Sequence, residues 1–91
     1  MAVEVRLTAV LQKLTGGAKV IPADGATVGE VLDSVEARFP GFKNQVSEAD
    51  GALKRFVNIY LNDEDVRYLG ALDTPTQPGD VISVLPALAG G

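Results

Sequence analysis

The chain has no cysteine, no histidine and no tryptophan, and only one methionine. Without cysteine there is no disulfide framework, no thiolate metal site and no cysteine nucleophile. Without histidine, the commonest general base and the commonest metal ligand are missing. Most hydrolytic chemistry by side chains and nearly all transition-metal chemistry are thereby excluded. Positive charge is also scarce: 8 Lys+Arg face 12 Asp+Glu, for a formal net charge of −4. An acidic chain with no basic stripe repels phosphate backbones, which argues against nucleic acid and favours a basic protein partner. No apolar run is long enough to span a bilayer. The start, Met1-Ala2-Val3-Glu4-Val5-Arg6-Leu7, places charges inside its first apolar stretch, unlike a signal peptide. These absences set the expectation of a soluble cytoplasmic protein, monomeric by itself, with neither membrane nor nucleic acid as partner.

What is present suits one compact domain. Ninety-one residues leave no room for a second core, and a hydrophobic fraction of 46% is enough to fold one. Val3 to Thr8 alternates apolar and polar residues, the period of a strand with Val3, Val5 and Leu7 inward. Ala9 to Leu14 reads as a helical turn or loop closed by Thr15-Gly16-Gly17, and Lys19 to Pro22 as the second strand of an antiparallel hairpin. Thr27 followed by Glu30 is a capping-box signature. Val28, Val31, Leu32, Val35 and Phe39 then form the apolar stripe of an amphipathic helix, which Pro40-Gly41 ends.

Phe42 to Leu53 reads as a polar loop with room for one helical turn, and Arg55 to Leu61 as a strong strand. Asn62 to Asp65 turns the chain, and Val66 to Tyr68 suits a short return strand. The Gln77-Pro78-Gly79-Asp80 turn introduces a last strand, Val81 to Leu85, stopped by Pro86. One helix cannot bury its stripe alone, so a sheet must cover it. The long excursion between first and last strands permits their parallel pairing at the centre. The expectation is an α+β fold of β-grasp, or ubiquitin-like, type: a mixed four- to five-stranded sheet packed on one main helix. Residues 1–86 form the domain and residues 87–91 a flexible tail.

Candidate side chains for chemistry are few. Asp63, Glu64 and Asp65 lack the staggered spacing of a calcium loop and read as a solvated turn. Gly16-Gly17 lacks the strand–loop–helix setting of a phosphate cradle. No metal site and no bound cofactor are expected. The terminus differs, because Pro86-Ala87-Leu88-Ala89-Gly90-Gly91 carries no charged or bulky polar side chain. Six extended residues reach about 20 Å, enough to enter a partner's active site. Gly90 and Gly91 have no Cβ, so a narrow channel can enclose them. The Gly91 carboxylate is inert to nucleophiles until another enzyme activates it, for instance by adenylation with ATP. By itself such an end also suits a frayed tail; on the last strand of a β-grasp pattern it gains meaning.

Several stretches carry a family resemblance. They are Leu14-Thr15-Gly16-Gly17, Arg55-Phe56-Val57-Asn58-Ile59-Tyr60 leading into Asn62-Asp63-Glu64-Asp65-Val66-Arg67, the Gly79-Asp80 turn, and Leu85-Pro86-Ala87 to Gly90-Gly91. Across its whole length the chain resembles the ubiquitin-like sulfur carriers of the MoaD/ThiS family. The likeness is strongest to the actinobacterial carriers of cysteine biosynthesis. It implies a protein cosubstrate and not an enzyme. An E1-like enzyme adenylates Gly91, a sulfur donor converts the adenylate to a thiocarboxylate, and a second enzyme takes the sulfide. The resemblance implies biosynthesis of cysteine, or of a sulfur-containing cofactor or natural product. In the cysteine pathway the second enzyme is a pyridoxal-phosphate-dependent synthase, which joins the sulfur to an aminoacrylate derived from phosphoserine. A JAMM-type metalloprotease then cuts the carrier–cysteine adduct. ATP, zinc and pyridoxal phosphate belong to these partners. The residues threaded by a partner are Ala87, Leu88, Ala89 and Gly90.

A docking surface follows from strand alternation. If Val57, Ile59 and Leu61 meet the helix, Phe56 and Tyr60 face outward, and Ser83 facing water puts Val81 and Leu85 on the same side. Phe56, Tyr60, Val81 and Leu85 are therefore the candidate partner-docking patch. Two other readings stand beside the sulfur carrier. One is a protein modifier conjugated to lysines through Gly91; the other is a β-grasp scaffold whose tail is incidental.

Overall fold

The computed structural model describes residues 3–48 and 57–86. Strand β1 (Val3–Leu7) alternates as its sequence predicts, with Val3, Val5 and Leu7 buried. Helix α1 (Ala9–Gln12) runs into a 3-10 turn (Lys13–Thr15) before strand β2 (Val20–Ala23) returns antiparallel to β1. Gly16 and Gly17, at φ 67° and 94°, reverse the chain there, and the Gly17 N–H donates to the Gln12 carbonyl at 2.8 Å. Positive φ is the reason glycine occupies both places.

Helix α2 (Val28–Arg38) begins at the predicted cap: the Glu30 N–H donates to Thr27 Oγ1 at 3.2 Å. The Glu30 carboxylate reaches back one residue further than in the standard box, accepting from the Ala26 N–H at 3.3 Å. Val28, Val31, Leu32 and Val35 form its buried stripe. Phe39 lies just past the helix end and is only half-buried, with the Arg38 guanidinium 5.4 Å from its ring centroid. The helical turn expected within the segment from Phe42 is present, but its face is apolar and buried, not polar. The segment opens with helix α3 (Phe42–Val46), and Phe42 and Val46, one turn apart, are fully buried. Glu36 starts this helix by accepting from the Gly41 N–H at 3.1 Å and the Lys43 N–H at 2.8 Å.

Strand β3 (Val57–Leu61) buries Val57, Ile59 and Leu61. The return strand β4 comes earlier than its sequence suggests, at Glu64–Asp65, because Asn62 and Asp63 alone make the turn at φ 51° and 74°. Val66–Tyr68 is a 3-10 turn instead of a strand. The Asp65 carboxylate accepts from the Arg67 N–H at 2.9 Å, and that bond diverts the backbone from the ladder. A further 3-10 turn (Ala71–Asp73) leads to strand β5 (Val81–Pro86).

The sheet order is β2-β1-β5-β3-β4. Its two central strands, β1 and β5, run parallel, with Glu4 opposite Val81 and Leu7 opposite Val84; the other neighbours are antiparallel. The inner face packs Val5, Ile59, Ile82 and Val84 against α2, with Leu11, Phe42 and Val66 completing one core. This is the β-grasp architecture: a mixed five-stranded sheet with one main helix. Among the described residues, no helix is long and apolar enough to cross a membrane.

Candidate functional site at the root of the tail

Of the residues singled out by sequence, Phe56, Ala87, Leu88, Ala89, Gly90 and Gly91 lie outside the described residues. Tyr60, Val81 and Leu85 lie on the outer face of the sheet, away from α2. Ile82 and Val84 alternate with them and are fully buried, which fixes the direction of the outward set. Register then decides who meets whom. Tyr60 stands opposite Ser83, and Asn58 opposite Leu85. Tyr60 is thus the diagonal neighbour of both Val81 and Leu85, a spacing of about 7–8 Å that an aromatic ring can bridge.

Tyr60, Ser83 and Leu85 line a shallow depression of about 260 Å³ together with Asp63. Val81 shares the face but not the depression. Leu85 is 39% exposed, whereas Tyr60, Val81 and Ser83 are half-buried. Ser83 points outward as its sequence context suggests, but it does not simply face water. Alternation places Ser83 on this face, and Asp63 is the member of the depression that it misses. Asp63 arrives only because the two-residue turn folds it back beside Tyr60, and the signal for that lay in the length of the turn.

Two arrangements hold this face in shape. At one end, the Asn62 side chain ties two turns together: its Nδ2 donates to Asp80 Oδ1 at 3.0 Å, and its Oδ1 accepts from the Val81 N–H at 2.9 Å. Asp80 in turn accepts from the Gln77 N–H at 2.8 Å, and the Asn62 N–H donates to the Val81 carbonyl at 2.8 Å. The β3–β4 turn and the start of β5 are therefore one unit. At the other end, Arg67 reaches across to β3, donating from Nη1 to Asn58 Oδ1 at 3.0 Å and from Nη2 to the Val57 carbonyl at 2.5 Å. Val57 and Asn58 are the register partners of Pro86 and Leu85. A guanidinium thus braces the strand beside the last described residues of β5.

Among the described residues, no group of three or more Asp and Glu side chains is arranged to hold a metal ion. Asp63, Glu64 and Asp65 instead serve the hairpin: Asp63 in the turn, Glu64 and Asp65 as the paired strand, with Asp65 also capping the next turn. The described residues here form an outer sheet face with a shallow depression, beside which β5 reaches its end.

Comparison with known proteins agrees with that geometry. The family model described as the ThiS family matches residues 5–91. The sulfur carrier protein CysO of Mycobacterium tuberculosis is 44% identical, with 100% of both chains covered. The small archaeal modifier protein 3 of Haloferax volcanii is 37% identical, also with 100% of both chains covered. The crystal structure of the Amycolatopsis orientalis BexX/CysO complex contains a chain with a TM-score of 0.93 and 46% identity, covering 99% of this chain and 100% of that one. In that structure a relative is held by a protein partner. The chain belongs to the ThiS family, as a homologue of the sulfur carrier CysO and a carrier in place of a catalyst.

Proposed function

We propose that the chain carries sulfur in the cytoplasm as a thiocarboxylate on Gly91, and that residues 1–86 serve as the docking body for the five-residue tail 87–91. The observation that carries this reading is the full-length likeness to a sulfur carrier, which runs through Gly90-Gly91. The outer face supports it by offering Tyr60, Ser83 and Leu85 at the root of the tail.

The chemistry follows from the carboxylate. An E1-like enzyme binds ATP, and a Gly91 carboxylate oxygen attacks the α-phosphorus, expelling pyrophosphate. Hydrosulfide adds to the acyl carbon and expels AMP. If an enzyme persulfide attacks instead, a thiol then cleaves the acyl disulfide, leaving the thiocarboxylate and a new disulfide on the thiol side. The thiocarboxylate that results is a sulfur nucleophile for an electrophile held by a second enzyme. Where the destination is cysteine, that enzyme is a synthase using pyridoxal phosphate and a metalloprotease releases the product; a sulfur-containing cofactor or natural product is the other destination. Extended, residues 87–91 span about 17 Å, which suffices to bring Gly91 into such an active site while the domain stays outside. Phe56, Tyr60, Val81 and Leu85 dock against these enzymes.

The test is reconstitution with an E1-like enzyme, ATP and a sulfide source, followed by thiol-directed alkylation and intact mass. The expected product has one oxygen replaced by sulfur and one label, mapping to Gly91; the chain has no cysteine to take the reagent. Lysine-linked conjugates in place of a labelled carrier favour the modifier. A variant lacking Gly90 and Gly91 that remains fully active in its pathway favours the scaffold.

A further inference from the structure

The turn after β4 presents its apolar side chains to water in a way that packing does not explain. Tyr68 is 88% exposed and the adjacent Leu69 is 45% exposed. Single exposed apolar side chains are ordinary, but this pair sits on a segment that is held firmly. Asp65 accepts from the Arg67 N–H at 2.9 Å, the Leu69 N–H donates to the Val66 carbonyl at 3.0 Å, and the Gly70 N–H donates to Thr74 Oγ1 at 2.8 Å. Val66 anchors the turn in the core. A braced backbone displaying a tyrosine and a leucine loses little conformational freedom when a partner covers them, which is the property of a docking point.

Its position is also specific. Arg67, next to Tyr68, grips Val57 and Asn58, and these lie across from Pro86 and Leu85. The turn therefore lies on the β4 side of the sheet, separated from the end of β5 by the single strand β3. A partner that meets the face alone leaves the carrier free to swivel about the tail. A second contact on the edge removes that freedom and fixes where Gly91 lands. Residues 62–73 carry Asp63, Glu64, Asp65 and Asp73 against one cation, Arg67, so the surround is acidic.

We infer that Tyr68 and Leu69 form a second docking point for the adenylating enzyme, which meets them with an apolar notch rimmed by basic side chains. This rests on the sulfur-carrier reading. The experiment uses the full chain and its adenylating enzyme in an ATP–pyrophosphate exchange assay over a range of carrier concentrations. In the Tyr68→Ser/Leu69→Ser variant, KM for the carrier rises about tenfold or more while kcat stays near the original value. Tyr68→Phe keeps the original KM. Raising the salt concentration weakens the original chain, and Glu64→Lys/Asp73→Lys raises KM and flattens that salt dependence. A thermal melt confirms that each variant is folded. An unchanged KM in the folded double-serine variant, or a fall confined to kcat, overturns the second docking point and leaves the carrier reading intact. Absence of exchange with the original chain overturns the carrier reading and this inference together.

Discussion

At the scale of single residues, Leu85 and Asn62 separate recognition from stability. Leu85 is 39% exposed, so the fold gains little from it, yet it borders the depression beside Tyr60. Leu85→Asp is expected to leave the melting temperature near its original value. It should raise KM for the adenylating enzyme by about tenfold to a hundredfold, the equivalent of losing a buried leucine contact of about 1.5–3 kcal/mol. Exchange kinetics with the purified carrier decide the matter; equal kinetics remove Leu85 from the interface. Asn62 is the opposite case. It combines φ 51° with two side-chain hydrogen bonds to the start of β5. Asn62→Ala loses the bonds and strains the backbone, for an expected loss of about 1–3 kcal/mol in urea unfolding. Asn62→Gly relaxes the backbone but not the bonds, so its midpoint should fall between the two.

At the scale of elements, the two ends of the α2 approach behave differently. Thr27→Ala removes one cap bond and should cost about 1 kcal/mol. Gly25→Ala would place a Cβ 2.5 Å from the Val31 backbone nitrogen and 2.8 Å from the Glu30 carbonyl carbon, neither of which can swing aside. Its cost is expected to be the larger, about 1–3 kcal/mol, and thermal unfolding of the pair ranks them. Phe42→Ala, in the short helix α3, should cost about 3–5 kcal/mol, because its ring is fully buried.

The same elements show what local sequence can and cannot display. Helix α2 was legible because cap, stripe and terminator agree within a dozen residues, and strands β1, β3 and β5 because their alternation is clean. Helix α3 was not. Its five residues carry only two apolar positions among polar neighbours, and its start depends on Glu36, which sits on another helix. The β3–β4 turn was misplaced because Asn62-Asp63 lacks the glycine that usually marks a two-residue turn, although Asn and Asp also tolerate positive φ. The candidate site divides the same way. Outward direction at Tyr60, Val81 and Leu85 follows from period two, whereas the presence of Asp63 and the reach of Arg67 depend on register and on a long side chain.

At the scale of the whole molecule, both flanks of the sheet carry features that oppose further pairing. On the β2 side, Pro22 has no N–H to offer, and its carbonyl accepts from Arg38 Nη1 at 2.5 Å. On the other side, β4 has only two residues, and Arg67 occupies the Val57 carbonyl beyond it. Short edges, proline and charge are the means by which sheets resist edge-to-edge association. Restoring a donor and freeing the acceptor with Pro22→Val/Arg38→Ala should produce concentration-dependent dimers in size-exclusion chromatography with light scattering. The original chain is expected to elute as a monomer over the same range, and an identical profile for the variant contradicts the edge argument.

Strand β5, from which residues 87–91 continue, lies in the middle of the sheet with β1 on one side and β3 on the other. Its amides at Ile82 and Val84 should be among the slowest to exchange with deuterium. The arrangement also has a mechanical meaning. A pull along the tail loads both ladders lengthwise, so their hydrogen bonds share the force and must slide together, whereas a strand at the margin would peel away one bond at a time. An enzyme that draws Gly91 into a deep channel can therefore tug on this protein without unravelling it. The tether ends where the weave is tightest.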